Sequence, residues 1–132
     1  MSKNVLIIED DITNITLIKR ILTKKGISVE SASDAISAWE KIHDNHYDLF
    51  IIDLNLPLGA NGFEFLSRLR STEEYKTTPA VAITAYISIY GKEECLSKGF
   101  NYYLEKPFDI LLFSKLIEKL LSANNITYPC TD

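Results

Sequence analysis

Positive charge is in the minority in this chain: 14 Lys and Arg stand against 18 Asp and Glu, a formal net charge of -4. No basic surplus is available for nucleic acid or an anionic membrane surface, so neither is expected as a partner. Cysteine is scarce. Cys95 and Cys130 stand alone without ligand spacing, which speaks against a disulfide framework or a zinc site and fits a reducing compartment. The two histidines, His43 and His46, flank a polar turn over Asp44 to Tyr47 and read as solvated rather than as metal ligands. Long hydrophobic runs are missing too: none approaches the roughly 20 residues of a membrane helix. The amino terminus meets Glu9-Asp10-Asp11 too early for a signal peptide. A cytoplasmic chain is therefore expected. At 132 residues and 46% hydrophobic, without repeat, low-complexity tract or internal linker, it has the size of one domain with a real core.

What is present is an alternation of extended and helical patterns. Strands are expected over about Asn4 to Ile8, Ser28 to Ala32, Tyr47 to Ile52, Pro79 to Ile83 and Asn101 to Leu104. Between them, helical spacing predicts Thr13 to Lys24, with Ile15, Ile18 and Leu22 on one face and Gly26 as its stop. A second helix starts at an Asp34 N-cap, with Ile36, Trp39 and Ile42 as its apolar stripe. Further helices are expected over Gly62 to Arg70, toward Lys98, and from an Asp109 cap through Leu121, the last burying Phe113, Leu116, Ile117, Leu120 and Leu121. Strict alternation predicts an α/β fold: a five-stranded parallel sheet in the order 2-1-3-4-5, flanked by five helices. Residues 1–121 form the expected domain, and 122–132 a polar tail carrying no output domain.

Two apolar runs end in acid: Val5-Leu6-Ile7-Ile8 before Glu9-Asp10-Asp11, and Leu49-Phe50-Ile51-Ile52 before Asp53. In the expected order these are the strands flanking the topological switch, where ligands collect at the carboxyl ends. The carboxylates should converge. Two unit charges about 4 Å apart at an effective dielectric near 20 repel by roughly 4 kcal/mol, so the cluster needs protons or a hard divalent cation. The fourth strand runs into Thr84 and the fifth into Lys106-Pro107, adding a hydroxyl and an ammonium to the same rim. This set suits phosphoryl transfer to a carboxylate, with Asp53 as acceptor and Glu9 and Asp10 holding the metal from one side.

Here the residues resemble a known family, the receiver domain of two-component response regulators, over about Lys3 to Leu121. The acidic pair after the first strand is Glu9 and Asp10. The aspartate ending the third is Asp53, the hydroxyl residue ending the fourth is Thr84, and the Lys-Pro pair after the fifth is Lys106-Pro107. The resemblance implies transfer from a histidine kinase or phosphotransfer protein to Asp53. It implies Mg2+ (or Mn2+) held by Asp10, Asp53 and the Asn55 backbone carbonyl, with Glu9 acting through water, and a cis Lys106-Pro107 peptide bond. Switching would couple Thr84 to Tyr103, the aromatic three residues before the lysine, and would alter a partner-binding face made of the fourth helix, fifth strand and fifth helix. Strand alternation puts Tyr102 on the opposite face from Tyr103. Asn55 and Tyr86, two residues beyond Asp53 and Thr84, are the expected tuning positions for the acyl phosphate. One departure stands out: the stretch Leu58-Gly59-Ala60-Asn61-Gly62 reaches its glycine in five residues where the family usually takes four.

Taken singly, each residue has a plainer reading. Asp10 or Asp11 reads as an N-cap, Thr84 as a strand end, Lys106 as a solvated lysine and Tyr103 as core. The conjunction at four strand ends favours the receiver, a phosphorylation-controlled module that is not a multi-turnover enzyme. A phosphohydrolase with an aspartyl phosphate would want a second acid at position 55, and an amide there cannot move the proton. A receiver unit cut from a hybrid kinase, or a static interaction module, is the remaining alternative.

Overall fold

The computed structural model describes residues 3–56, 61–85 and 91–122. Ten elements alternate: β1 (Asn4–Ile8), α1 (Ile12–Lys24), β2 (Ser28–Ala32), α2 (Ala35–Asp44), β3 (Leu49–Asp53), α3 (Gly62–Arg70), β4 (Ala80–Thr84), α4 (Lys92–Ser97), β5 (Tyr102–Glu105) and α5 (Ile110–Ser122). The strands form one parallel sheet in the order β2-β1-β3-β4-β5, as the alternation predicts.

Side-chain alternation along each strand divides the core in two. Val5, Ile7, Leu49, Ile51, Val81 and Ile83 face one way and pack with Ile18 and Leu22 of α1 and with Phe113, Ile117 and Leu120 of α5. Leu6, Ile8, Phe50, Ile52, Ala80 and Ala82 face the other way, onto α2, α3 and Cys95 of α4. β1, β3 and β4 are therefore buried on both faces, which is why they read as unbroken apolar runs. Each full burial of an Ile or Leu contributes roughly 1.5–3 kcal/mol, so these two layers fix the register on which the site depends.

The helix starts are set locally. The Asp11 carboxylate accepts from Thr13 N at 2.9 Å, Asp34 from Ser37 N at 2.7 Å, and Asn61 with Glu64 closes a reciprocal capping box on α3. Asp109 accepts from the backbones of Leu111 and Leu112, and Gly26, at φ +81, ends the α1 turn.

Several boundaries differ from expectation by one or two residues. β3 starts at Leu49 rather than Tyr47: Tyr47 is buried in the preceding loop, its hydroxyl bonded to Glu30 and its N–H to Tyr75 Oη. β4 and β5 each end one residue later, at Thr84 and Glu105, so Thr84 is itself a strand end and Lys106 follows β5 directly. The stripe of α2 needs a larger correction. Ala38 and Ile42 are its buried residues and Trp39 is partly buried, whereas Ile36 is 65% exposed. The small Ala38 takes the inward position, which rotates Ile36 outward. His46 is exposed but not simply solvated: its Nδ1 lies 2.6 Å from Glu74 Oε2 and its ring stacks on Tyr75.

Candidate functional site

The register carries the acids together. Ile8 pairs with Ile52, so one residue further Glu9 and Asp53 stand side by side at the switch between β1 and β3. Ladder bonds continue past the strand ends, from Glu9 N to Ala32 O at 2.9 Å, from Leu54 N to Ile83 O at 3.0 Å and from Lys106 N to Thr84 O at 2.8 Å. These pin the backbone beneath each functional side chain. Carboxylate oxygens of Glu9, Asp10 and Asp53 lie within 4.8 Å of one another. Glu9 is 0% exposed and Asp53 6%, while Asp10 is open to solvent.

Lys106 reaches into this cluster from the end of β5. Its Nζ donates to Asp53 Oδ2 at 3.0 Å and lies 2.8 Å from Glu9 Oε1. The Glu9 contact is an ion pair without the direction of a hydrogen bond, so Oε1 remains a buried oxygen with no hydrogen-bond donor. Glu9 Oε2 accepts from Asp11 N at 3.2 Å. Burial pushes the Glu9 carboxyl above its ordinary 4.5; the Lys106 ammonium opposes the rise and the Asp53 carboxylate adds to it. Burial works to lower Lys106, but its close contact with Glu9 and its hydrogen bond and charge pairing with Asp53 outweigh that, and the ammonium is held above its ordinary value.

Thr84 belongs to the other face. By alternation Glu9, Asp53 and Lys106 share the side of α1 and α5, and Thr84, Tyr103 and Glu105 the side of α2, α3 and α4. Asn55 links the two: its backbone N–H donates to Asp53 Oδ1 at 2.9 Å and its side-chain amide to Thr84 Oγ1 at 3.2 Å. Tyr103 is buried with Ala82 and Cys95, and its hydroxyl donates to Glu105 Oε2 at 3.2 Å; Tyr102 packs on the opposite face. The Lys106–Pro107 peptide bond is cis. Tyr86 and the loop residues 57–60 lie outside the described residues.

Two features were not anticipated. Glu105 bonds Tyr103, which the i, i+2 spacing on one strand face could have signalled. Gly62 packs so closely that a Cβ would lie 2.9 Å from both Asp53 O and Leu54 Cα. Its N–H donates to Leu54 O at 3.1 Å, so the start of α3 is fastened to the backbone of the acidic strand end.

The family model for the response regulator receiver domain matches residues 5–119. The chain belongs to that family. Among curated relatives, this receiver domain is 37% identical to the sensor protein EvgS of Escherichia coli K12 over 93% of its own length, but over 10% of EvgS. It spans about a tenth of the length of the curated relatives it matches first. Among solved structures, the Vibrio cholerae chemotaxis response regulator CheY4 superposes with a TM-score of 0.82 at 30% identity, covering 91% of this chain and 99% of that one. The receiver domain of the sensor histidine kinase PA1611 from Pseudomonas aeruginosa PAO1 gives 0.79 at 28% identity, covering 92% and 98%, and that protein carries a magnesium ion in its active-site cleft. The five-stranded parallel sheet with five flanking helices expected from the sequence is therefore the CheY-like flavodoxin fold, and the chain is a receiver of two-component signalling.

A divalent cation fits the residues present. Three carboxylates converge, one buried oxygen among them lacks a hydrogen-bond donor, and a single ammonium faces two of them. All-oxygen donors of this kind suit Mg2+ or Mn2+.

Proposed function

We propose that the chain is a phosphorylation-controlled receiver in which Asp53 accepts a phosphoryl group from a phosphohistidine of a histidine kinase or phosphotransfer protein. The observation that carries this reading is the pairing of Lys106 Nζ with both Asp53 and Glu9 beside a converging third carboxylate. One Asp53 oxygen forms the new bond to phosphorus while the P–N bond of the donor imidazole breaks. The departing nitrogen keeps the electron pair and takes up its proton on the donor side. Asp10, Asp53 and the Asn55 carbonyl, with Glu9 through water, would hold a divalent cation, which would supply neutralising charge to the phosphoryl oxygens. Lys106 exchanges its carboxylate partners for a phosphoryl oxygen. Thr84 gives up the Asn55 amide and donates its hydroxyl to the phosphoryl group, and the buried Tyr103 repacks with it.

For a phosphoryl group to move a 1:99 equilibrium to 99:1 it must favour the active state by about 5.5 kcal/mol, which several charge-assisted hydrogen bonds supply. The face changed is formed by α4, β5 and α5, where a downstream protein would read the state. Likeness to CheY4, nearly all of which the chain covers, supports a free-standing regulator. Likeness to EvgS favours a second reading, in which the same unit sits inside a hybrid kinase and receives its phosphoryl group from a linked domain.

The test is intact mass after incubation with Mg2+ and acetyl phosphate or phosphoramidate, beside Asp53→Asn. A gain of one phosphoryl group that requires Mg2+ and vanishes in the variant is expected. No gain in the wild-type chain would leave a static interaction module.

A further inference from the structure

We propose that the outer face of α2, walled by Arg68 of α3, is a docking groove for a partner helix that carries aliphatic side chains on one stripe and lysine or arginine along its edge. The groove measures about 660 Å³ and is lined by Ala35, Ile36, Trp39 and Arg68, with Glu40 and Asp44 on the rim. Its lining includes none of Glu9, Asp10, Asp53, Thr84 and Lys106 and no residue of α4, β5 or α5. The floor is preformed. Trp39 is held from within by Phe65 at 5.0 Å between ring centroids, and the Arg68 guanidinium lies 4.5 Å over the indole. A partner therefore meets a rigid aromatic platform and spends little ordering free energy on it.

Ile36 stands beside this platform, 65% exposed on a capped and well-formed helix where a charged residue would cost nothing. Residues 36, 39–40 and 43–44 repeat at helical spacing and make a stripe of two turns, about 12 Å long, which a second helix can follow. Charge selects the occupant. Glu40 has no cation partner among the described residues, and the partner of Asp44 is the exposed ring of His43 at 3.1 Å. A second copy of this chain would bring the same acidic rim to that edge, and its Arg68 is already committed to Trp39. A basic amphipathic helix supplies what the rim lacks.

Trp39 is the single tryptophan, so its emission reports this groove alone. The chain is titrated with a synthetic leucine–lysine amphipathic peptide and with its leucine–glutamate counterpart. A saturable blue shift with the lysine peptide only is expected, weakened about tenfold or more by Ile36→Asp, as for loss of an interface anchor. Glu40→Lys should weaken it as well. Asp53→Asn should leave it unchanged, which separates this proposal from the phosphoryl chemistry. Ile36 is exposed, so Ile36→Asp should keep its helical circular dichroism. An equal response to the glutamate peptide, no saturable shift, or unchanged affinity in Ile36→Asp would overturn the proposal. So would sedimentation showing a dimer that Ile36→Asp abolishes, which would assign the face to self-association.

Discussion

Lys106 Nζ donates to Asp53 Oδ2 at 3.0 Å across 53 positions of sequence, so the ends of β3 and β5 are joined by a charge pair that spans the intervening strand β4. The same ammonium serves Glu9 at 2.8 Å. One cation thus answers two buried carboxylates, and the formal charge at the rim is one positive short of neutral before Asp10 is counted.

Removing the cation should be costly. Lys106→Met leaves Glu9 and Asp53 facing each other in a site with little solvent, and loss of one partner of a buried pair costs about 3–5 kcal/mol. A loss near the lower end is expected from urea unfolding, because Asp10 keeps one side of the site open. The opposite change is Glu9→Gln. Since the native Glu9 pKa is raised above 4.5, the native state holds more protons than the unfolded state just above that value. The Glu9 contribution is thus fully present below 4.5 and is lost as the pH rises through the native pKa. Glu9→Gln should flatten that slope and raise stability at neutral pH in EDTA. A stability loss in that variant would show that the Lys106 pairing outweighs the burial of Glu9.

Mg2+ should raise the melting temperature. A ligand at about 100 times its dissociation constant stabilises the state that binds it by about 2.7 kcal/mol. Asp10 is exposed and no hydrogen bond or ion pair of its side chain is seen among the described residues, so Asp10→Asn should fold normally and lose the shift. Calorimetry with and without EDTA checks this; an undiminished Mg2+ shift in Asp10→Asn would place the cation elsewhere.

Much of this arrangement was legible in the sequence because it rests on strand ends. Where an apolar run stops at charge, the last buried residue and the first functional one are neighbours, and a parallel sheet carries both to one rim. Ile36 was misread for a physical reason: small Ala35 and Ala38 carry little hydrophobic weight in a periodicity count, yet Ala38 is the residue that packs against the sheet. The bond from Asn55 to Thr84 was hidden because it joins two strand ends through side-chain torsions that no spacing encodes, whereas that from Tyr103 to Glu105 was open to an i, i+2 reading. Gly62 read as the opening of a helix, and nothing in its neighbours announces that the backbone of Asp53 and Leu54 lies against its Cα.

Gly62→Ala should therefore destabilise the fold despite the better helix propensity of alanine. The added methyl meets two backbone atoms at 2.9 Å, and neither can move without shifting the end of β3. Overpacking of this kind costs about 1–3 kcal/mol. Chemical denaturation reads the loss, and the phosphorylation rate with acetyl phosphate should fall with it because Asp53 is carried on the displaced backbone. A gain in stability would mean that α3 can slide outward freely.

Stability should also decline in alkali, through the layer beneath Tyr103. Burial raises the Cys95 thiol from its ordinary 9.0 to about 11, with the Glu94 charge adding to it. Burial raises the Tyr103 hydroxyl from 10.0 to about 12, and Glu105 adds to that by charge and by hydrogen bond. Tyr47 is shifted in the same direction by burial and by Glu30. Each group keeps its proton longer in the native state than in the unfolded one, so the unfolded state binds fewer protons and stability falls with rising pH. The Cys95 contribution is whole below 9.0 and is lost as the pH climbs through about 11; that of Tyr103 goes one unit later. Urea midpoints taken at rising pH should show this decline, and Cys95→Val should remove its earlier part. In a Cys130→Ala chain, iodoacetamide should modify Cys95 only as fast as the domain opens, since the neutral buried thiol is not a nucleophile. Rapid labelling of the folded chain near neutral pH would show instead that the α4 layer opens locally, and the alkaline slope would then belong to that opening.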